Sequence, residues 1–236
     1  MIQNNKIYIF LEFKNLKIIF TAYNSNYENK YSNSIILDFS SREGLENLSN
    51  IIRDNIIKIE KKIGEFVNEI NIILDLNKST NIKLNIFKKK ENLEVTHEDI
   101  KYLIQDARQQ IIEQNKNLTI LHIVLENFYI NKIKKTEISK NFSAEDFSII
   151  LNFICYPSED ILNFKKLLKK NQIKVNKFIC SKYLESILEK DLPEELQISS
   201  AGIKTIMGMN QNEVQIVPKT IKKHPFFERL FKFFLR

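Results

Sequence analysis

The order of apolar runs at the start of this chain constrains its fold more than any other feature. Residues 7–13 and 16–23 are dense in Ile, Phe, Leu and Tyr and are separated by Lys14-Asn15, which reads as a β-hairpin. A third short β-type run covers 35–38. Between residues 42 and 62, Leu45, Leu48, Ile52, Ile56 and Ile59 recur at helical period. Gly64 follows, where a residue free to turn left-handed closes such a helix. The string EINIILDL at 69–76 is apolar almost throughout, as a strand covered on both faces must be. Strands that alternate with helices give an α/β chain.

The pattern then changes scale. Residues 81–87 alternate as a strand, and Thr96 is placed to cap a helix over 98–114 with Glu98 and Asp99 in its first turn. Strands are expected at 118–125, 128–133 and 149–155, followed by a helix at 158–170, a strand at 174–180 and a helix at 182–189. The last three read as a return to the first unit. The expected organisation is a discontinuous domain of residues 1–81 and 151–192, an inserted domain at 82–150, a linker at 193–220 and a terminal helix at 221–236. The linker assignment rests on punctuation: about 193–220 holds two of the four glycines and two of the four prolines.

The terminal segment FFERLFKFFLR carries the strongest chemical signal. At about 100° per residue, Glu228, Arg229, Lys232 and Arg236 share one narrow arc. Phe226, Phe227, Leu230, Phe231, Phe233, Phe234 and Leu235 fill the opposite side. Lys222 and Lys223 stand just ahead. From 218 onward there are six Lys or Arg against one Glu, a net of +5 within a whole-chain charge of +7. An apolar face flanked by cations suits a helix lying in an anionic membrane interface.

The remaining composition excludes more than it assigns. Without the tail the body is near neutral, which argues against nucleic acid as a partner. Lys88, Lys89 and Lys90, and Lys132, Lys134 and Lys135, read as solvated strand ends. Cys155, Cys180 and the scattered His97, His122 and His224 give no ligand spacing or Cys/His pair, so neither a metal nor thiol catalysis is expected. Two apolar-run cysteines fit a reducing compartment. No run of 18 apolar residues exists and the N-terminus has no signal-peptide pattern, so a cytoplasmic protein peripheral to the membrane is expected.

Four strings, in order and spacing, resemble FtsA, the actin-like protein that tethers the bacterial division ring to the membrane. They are LEFKNLK at 11–17, VTHEDIKYLIQDA at 95–107, LTILHIVLENFYI at 118–130 and the stretch 153–188. Leu125 stands where that family usually has Pro, and Gln172-Ile173-Lys174-Val175 lacks the family's Gly. The resemblance implies half of an actin-like (ribonuclease H-like) domain, an inserted SHS2-type strand-helix-strand domain used for self-association and contact with division proteins, and a C-terminal membrane-targeting amphipathic helix. It also locates the family's phosphate turn at Glu12, Lys14 and Asn15, where Lys replaces the Gly that lets backbone amides approach a phosphate. No Asp-x-Gly-Gly-Gly-Thr string occurs anywhere. The expectation is therefore a non-enzymatic adaptor with no nucleotide or other cofactor. A PilM-like scaffold of a pilus or secretion system is the alternative within the same superfamily, disfavoured because PilM-type proteins are not anchored by such a tail. A basic nucleic-acid-binding protein is the alternative outside it.

Overall fold

Strands β1 (Ile7–Lys14), β2 (Lys17–Asn24) and β3 (Asn29–Ile36) form an antiparallel meander. Helix α1 (Gly44–Ile63) then crosses over, and β4 (Glu69–Asp75) lies parallel to β1. The expected β-β-β-α-β order is present in this computed structural model, which describes residues 6–14, 16–37, 44–75, 77–135, 141–189, 194–210 and 212–214. Gly64 ends α1 with a φ of +78° and an N–H bond to the Glu60 carbonyl at 2.8 Å, a conformation that costs other residues backbone strain.

The chain next builds a second sheet. Its strands are β5 (Thr80–Thr96), β6 (Leu118–Ile130), β7 (Ile133–Lys135) and β8 (Asn141–Pro157), in the order β5-β8-β6-β7. Helix α2 (His97–Gln114) covers one face of it. Thr96 caps α2: its hydroxyl accepts from the Asp99 N–H at 3.3 Å and the Asp99 carboxylate accepts from the Thr96 N–H at 3.1 Å, a reciprocal capping box. The Thr96 hydroxyl, which also donates to the Asp99 carboxylate at 2.8 Å, and the Thr96 N–H hold this carboxyl down at about 2.

Helix α3 (Ser158–Lys170) and β9 (Lys174–Cys180) return to the first sheet, whose full order is β3-β2-β1-β4-β9. Two helices follow, α4 (Ser181–Ser186) and α5 (Glu194–Met207). Because side chains alternate across a strand, β1 feeds two cores. Ile9, Leu11 and Phe13 pack with Leu48, Ile52 and Ile59 of α1 and Ile161 and Leu168 of α3. Tyr8 and Phe10 pack with Leu184 of α4 and Ala201 and Ile203 of α5. The first sheet thus carries helices on both faces, and burying each such apolar side chain contributes about 1.5–3 kcal/mol.

Four expectations need correction. The third strand occupies Asn29–Ile36, earlier than the apolar run suggests, because it is held by the ladder to β2. Strands β5 and β8 run 17 residues each, through polar stretches paired with each other across the sheet. Strand β6 continues to Ile130, absorbing Glu126 at a register shift. Most consequentially, 194–207 is a helix packed into the core, not a linker: Ala201, Ile203 and Thr205 are buried. Residues 215–220 of the expected linker and the whole expected membrane helix at 221–236 lie outside the described residues.

Candidate functional site

Glu12 and Lys14 sit two residues apart on β1 and therefore share a face, the one toward α4 and α5. Glu12 lies mid-sheet between Ile19 of β2 and Ile73 of β4. Burial raises its carboxyl above the usual range; Lys14 opposes this, while Asp75 and Glu185 add to it. Lys14 is the last ladder residue of β1, facing Lys17 on β2 and Asp75 on β4. Two residues of sequence separate Lys14 from Lys17, and Asn15 lies outside the described residues. This end of the sheet therefore carries both signs of charge, Glu12, Asp75 and Glu185 with Lys14 and Lys17, and it lacks the glycine that lets backbone amides approach a phosphate. Among the described residues no group of three or more His, Cys, Asp or Glu is placed to hold a metal ion. Cys155 is wholly buried, and burial alone pushes its thiol up to about 11, far from a nucleophilic thiolate.

A second constellation lies where the two sheets meet. The β6 ladder shifts register at Leu121, so that Ile120 faces Cys155 and His122 faces Ile154 on β8. Such a shift re-aims a side chain. The His122 side chain is fully buried and reaches β9, where its Nε2 accepts the Cys180 N–H at 3.0 Å. A backbone N–H can only donate, so the imidazole proton resides on Nδ1. Nδ1 in turn donates to Oε1 of Glu213 at 2.9 Å. The ring also lies against Tyr183 of α4, with centroids 4.3 Å apart.

Glu213 arrives on a short segment that lies along β6. The Leu125 N–H donates to the Asn212 carbonyl at 2.7 Å, the Val214 N–H donates to the Ile123 carbonyl at 2.8 Å, and Val124 bridges Glu213 antiparallel. The Glu213 side chain is 4% exposed and accepts from four groups. Oε1 takes His122 Nδ1 and Lys177 Nζ at 3.1 Å; Oε2 takes the Tyr183 hydroxyl at 3.1 Å and Asn210 Nδ2 at 3.3 Å. Burial acts to raise this carboxyl, but His122 and Lys177 overcome it and hold it down at about 2. Burial in turn lowers His122 below its ordinary value, with Lys177 adding to this and Glu213 opposing it. Burial raises the Tyr183 phenol, and the Glu213 charge raises it further. The cluster is an ionised carboxylate with every lone-pair direction occupied, gripped by both sheets, α4 and the residues after α5.

The sequence drew attention to Glu12, Lys14, Asn15 and the tail. The structure brings Glu12 and Lys14 together on one strand face; Phe226, Phe227, Leu230, Phe231, Phe233, Phe234, Leu235, Lys222, Lys223, Arg229, Lys232 and Arg236 all lie outside the described residues. The Glu213 cluster escaped sequence reasoning because its members are far apart along the chain, His122 and Glu213 by 91 residues. One signal was present: a lone His inside the apolar string LHIVL must find partners once buried.

No protein-family model matches the chain, and no curated protein does. Among solved structures it is similar to a chain of the PilM-PilN type IV pilus biogenesis complex, at 11% identity and a TM-score of 0.46 over 75% of this chain and 48% of that one. It is also similar to the cytoplasmic domain of EpsL, an inner membrane component of the type II secretion system of Vibrio cholerae. There the identity is 8% and the TM-score 0.41 over 79% of this chain and 61% of that one. The chain thus spans about half the length of the first.

Proposed function

We propose that the chain is a non-enzymatic adaptor that attaches peripherally to an anionic cytoplasmic membrane through residues 226–236 and recruits protein partners to it. The resemblance strings give the assembly as a division apparatus of the FtsA type, with the small sheet and α2 as the contact region and self-association adding avidity. The observation that carries the reading is the anchoring of residues 212–214 on β6. The amphipathic, cationic sequence begins 11 residues (215–225) after that segment. At 3.3–3.6 Å per residue, that spans roughly 40 Å at most. The replacement of the phosphate-turn glycine by Lys14 supports the non-enzymatic part.

The test is sedimentation with vesicles mixing phosphatidylcholine and phosphatidylglycerol. Phe231→Glu with Phe234→Glu puts two charges into the apolar face, and binding is expected to fall on the order of 100-fold with the body still folded. Replacing Lys222, Lys223 and Lys232 by Gln removes about 1 kcal/mol each and reduces the salt sensitivity. If the double Glu variant still sediments, or unfolds the body, the tail is not the anchor. The PilM-like scaffold, which needs no such tail, then becomes the better reading.

A further inference from the structure

The four side chains that bond the Glu213 carboxylate face it as hydrogen-bond donors, and each has a further contact that holds it in place. The Cys180 N–H orients His122. The Thr205 carbonyl, at 3.0 Å, holds Lys177 Nζ. The Thr205 hydroxyl, at 2.8 Å, holds Asn210 Nδ2. Tyr183 is fixed by its place on α4 and its contact with the His122 ring. The donors are thus arranged in advance for a carboxylate, and pre-arrangement is what makes a binding site rather than a chance contact.

The edge beside this cavity has the same character. Strand β6 pairs with β8 along its length but with β7 only at Phe128–Ile130. Its other edge at Ile123–Leu125 is free to accept a strand, and residues 212–214 take it with two backbone bonds. Adjacent residues of an added strand point to opposite sides. Glu213 enters the donor cavity, while Val214 packs against the core of the small sheet. Beside them lies a cleft of about 690 Å³ that Arg108, Ile120, Ile206 and Val214 help to line.

We propose that His122, Lys177, Tyr183 and Asn210, together with the β6 edge at Ile123–Leu125, form a binding site for an extended peptide presenting a glutamate followed by an apolar residue. Residues 212–214 of the chain are its built-in occupant. Main-chain pairing supplies affinity and the alternating side chains supply selectivity, as in other strand-addition sites. The site selects glutamate over glutamine because an amide would turn its own NH₂ toward the surrounding donors. It selects against aspartate because the carboxylate would fall one methylene short. The occupant is tied to α5 through Gly208, whose φ of +71° turns the chain back toward β6. A short tether gives it an effective concentration in the millimolar range, which excludes outside peptides until it is released. This site shares the anchoring of residues 212–214 with the membrane reading but does not depend on the tail, and it survives the failure of the tail as an anchor.

The probe is a capped synthetic peptide of residues 211–217, titrated into the full chain and into its Glu213→Ala variant. The peptide is expected to bind the variant at least about tenfold tighter than the unaltered chain, whose site is filled in cis. A peptide with Gln at the glutamate position should bind the variant at least about tenfold more weakly. Equal affinity for the two chains, indifference to the Gln replacement, or no binding to a variant that circular dichroism shows to be folded would each overturn the proposal. Should Glu213→Ala not fold, Glu213→Gln in the full chain is read by amide exchange. Exchange at Leu125 and Val214 should accelerate at least about tenfold while Ile72 in the first sheet keeps its protection. Unchanged protection at Leu125 and Val214 refutes the site.

Discussion

Replacing Gly202 by alanine separates a packed α5 from a tether, because the two give opposite outcomes. An added Cβ would stand 2.8 Å from Cε1 and 3.0 Å from Cζ of Phe10. Phe10 is 1% exposed, wedged in the core that β1 shares with α4 and α5, so its ring has little room to retreat. Overpacking of this kind costs about 1–3 kcal/mol. Alanine returns about 0.8–1.0 kcal/mol of helix propensity relative to glycine. With contact below 3.0 Å against a rigid ring, the upper part of the overpacking range applies, and the net loss is about 1–2 kcal/mol. For a chain of this size that lowers Tm by roughly 3–6 °C. Thermal and urea melts followed by circular dichroism measure it. A Phe10→Leu change should partly restore a Gly202→Ala chain, giving a favourable coupling term in the double-mutant cycle. In a solvated tether the same alanine would be neutral or mildly stabilising, by about 0.4–1 kcal/mol at most. A Tm unchanged or raised would refute the packing of α5 on β1.

Two further outcomes are expected. His122 and Glu213 both titrate below their ordinary values in the fold, so the unfolded chain binds more protons; their contribution is complete above about pH 6.5 and is lost on acidification, first through His122 and then between 4.5 and about 2 for Glu213. Protonating His122 also sets Nε2–H against the Cys180 N–H, so urea midpoints should fall steadily from about pH 7 to about pH 3, and a flat profile would contradict the cluster. For nucleotide, calorimetric titration with magnesium and ATP should give no saturable binding at micromolar concentrations, because Lys14 replaces the glycine of the phosphate turn that the resemblance locates and no Asp-x-Gly-Gly-Gly-Thr string is present. A saturable, magnesium-dependent isotherm would overturn the non-enzymatic reading.

Elements whose own residues carry a clean period were legible in the sequence. Helices α1 and α3 and strands β1, β4 and β9 fall within a residue or two of expectation, and the Thr96 cap is where its chemistry required. Features set by distant partners were not. The polar parts of β5 and β8 are strand because each completes the other's ladder, which neither stretch reveals alone. Glycine misled most at Gly202, which punctuates the sequence like a linker residue but serves to let α5 approach Phe10. The Glu213 cluster joins residues from β6, β9, α4 and the segment after α5, so it exists only once both sheets are assembled.

The pairing of Thr80 with Cys155 has a consequence for the order in which the molecule can form. Strand β9 must find β4 across the 98 intervening residues 76–173. When β5 and β8 have already zipped, the two ends of the small sheet are brought side by side. The open length then shrinks to the 22 residues of 76–79 and 156–173. Loop closure costs about 0.6 kcal/mol for each doubling of length, so this shortening of about two doublings saves about 1 kcal/mol of chain entropy. The small sheet thereby acts as a clasp for the large one. A substitution that weakens the β5–β8 ribbon slows the closure of β9 onto β4, two strands that the ribbon is not part of.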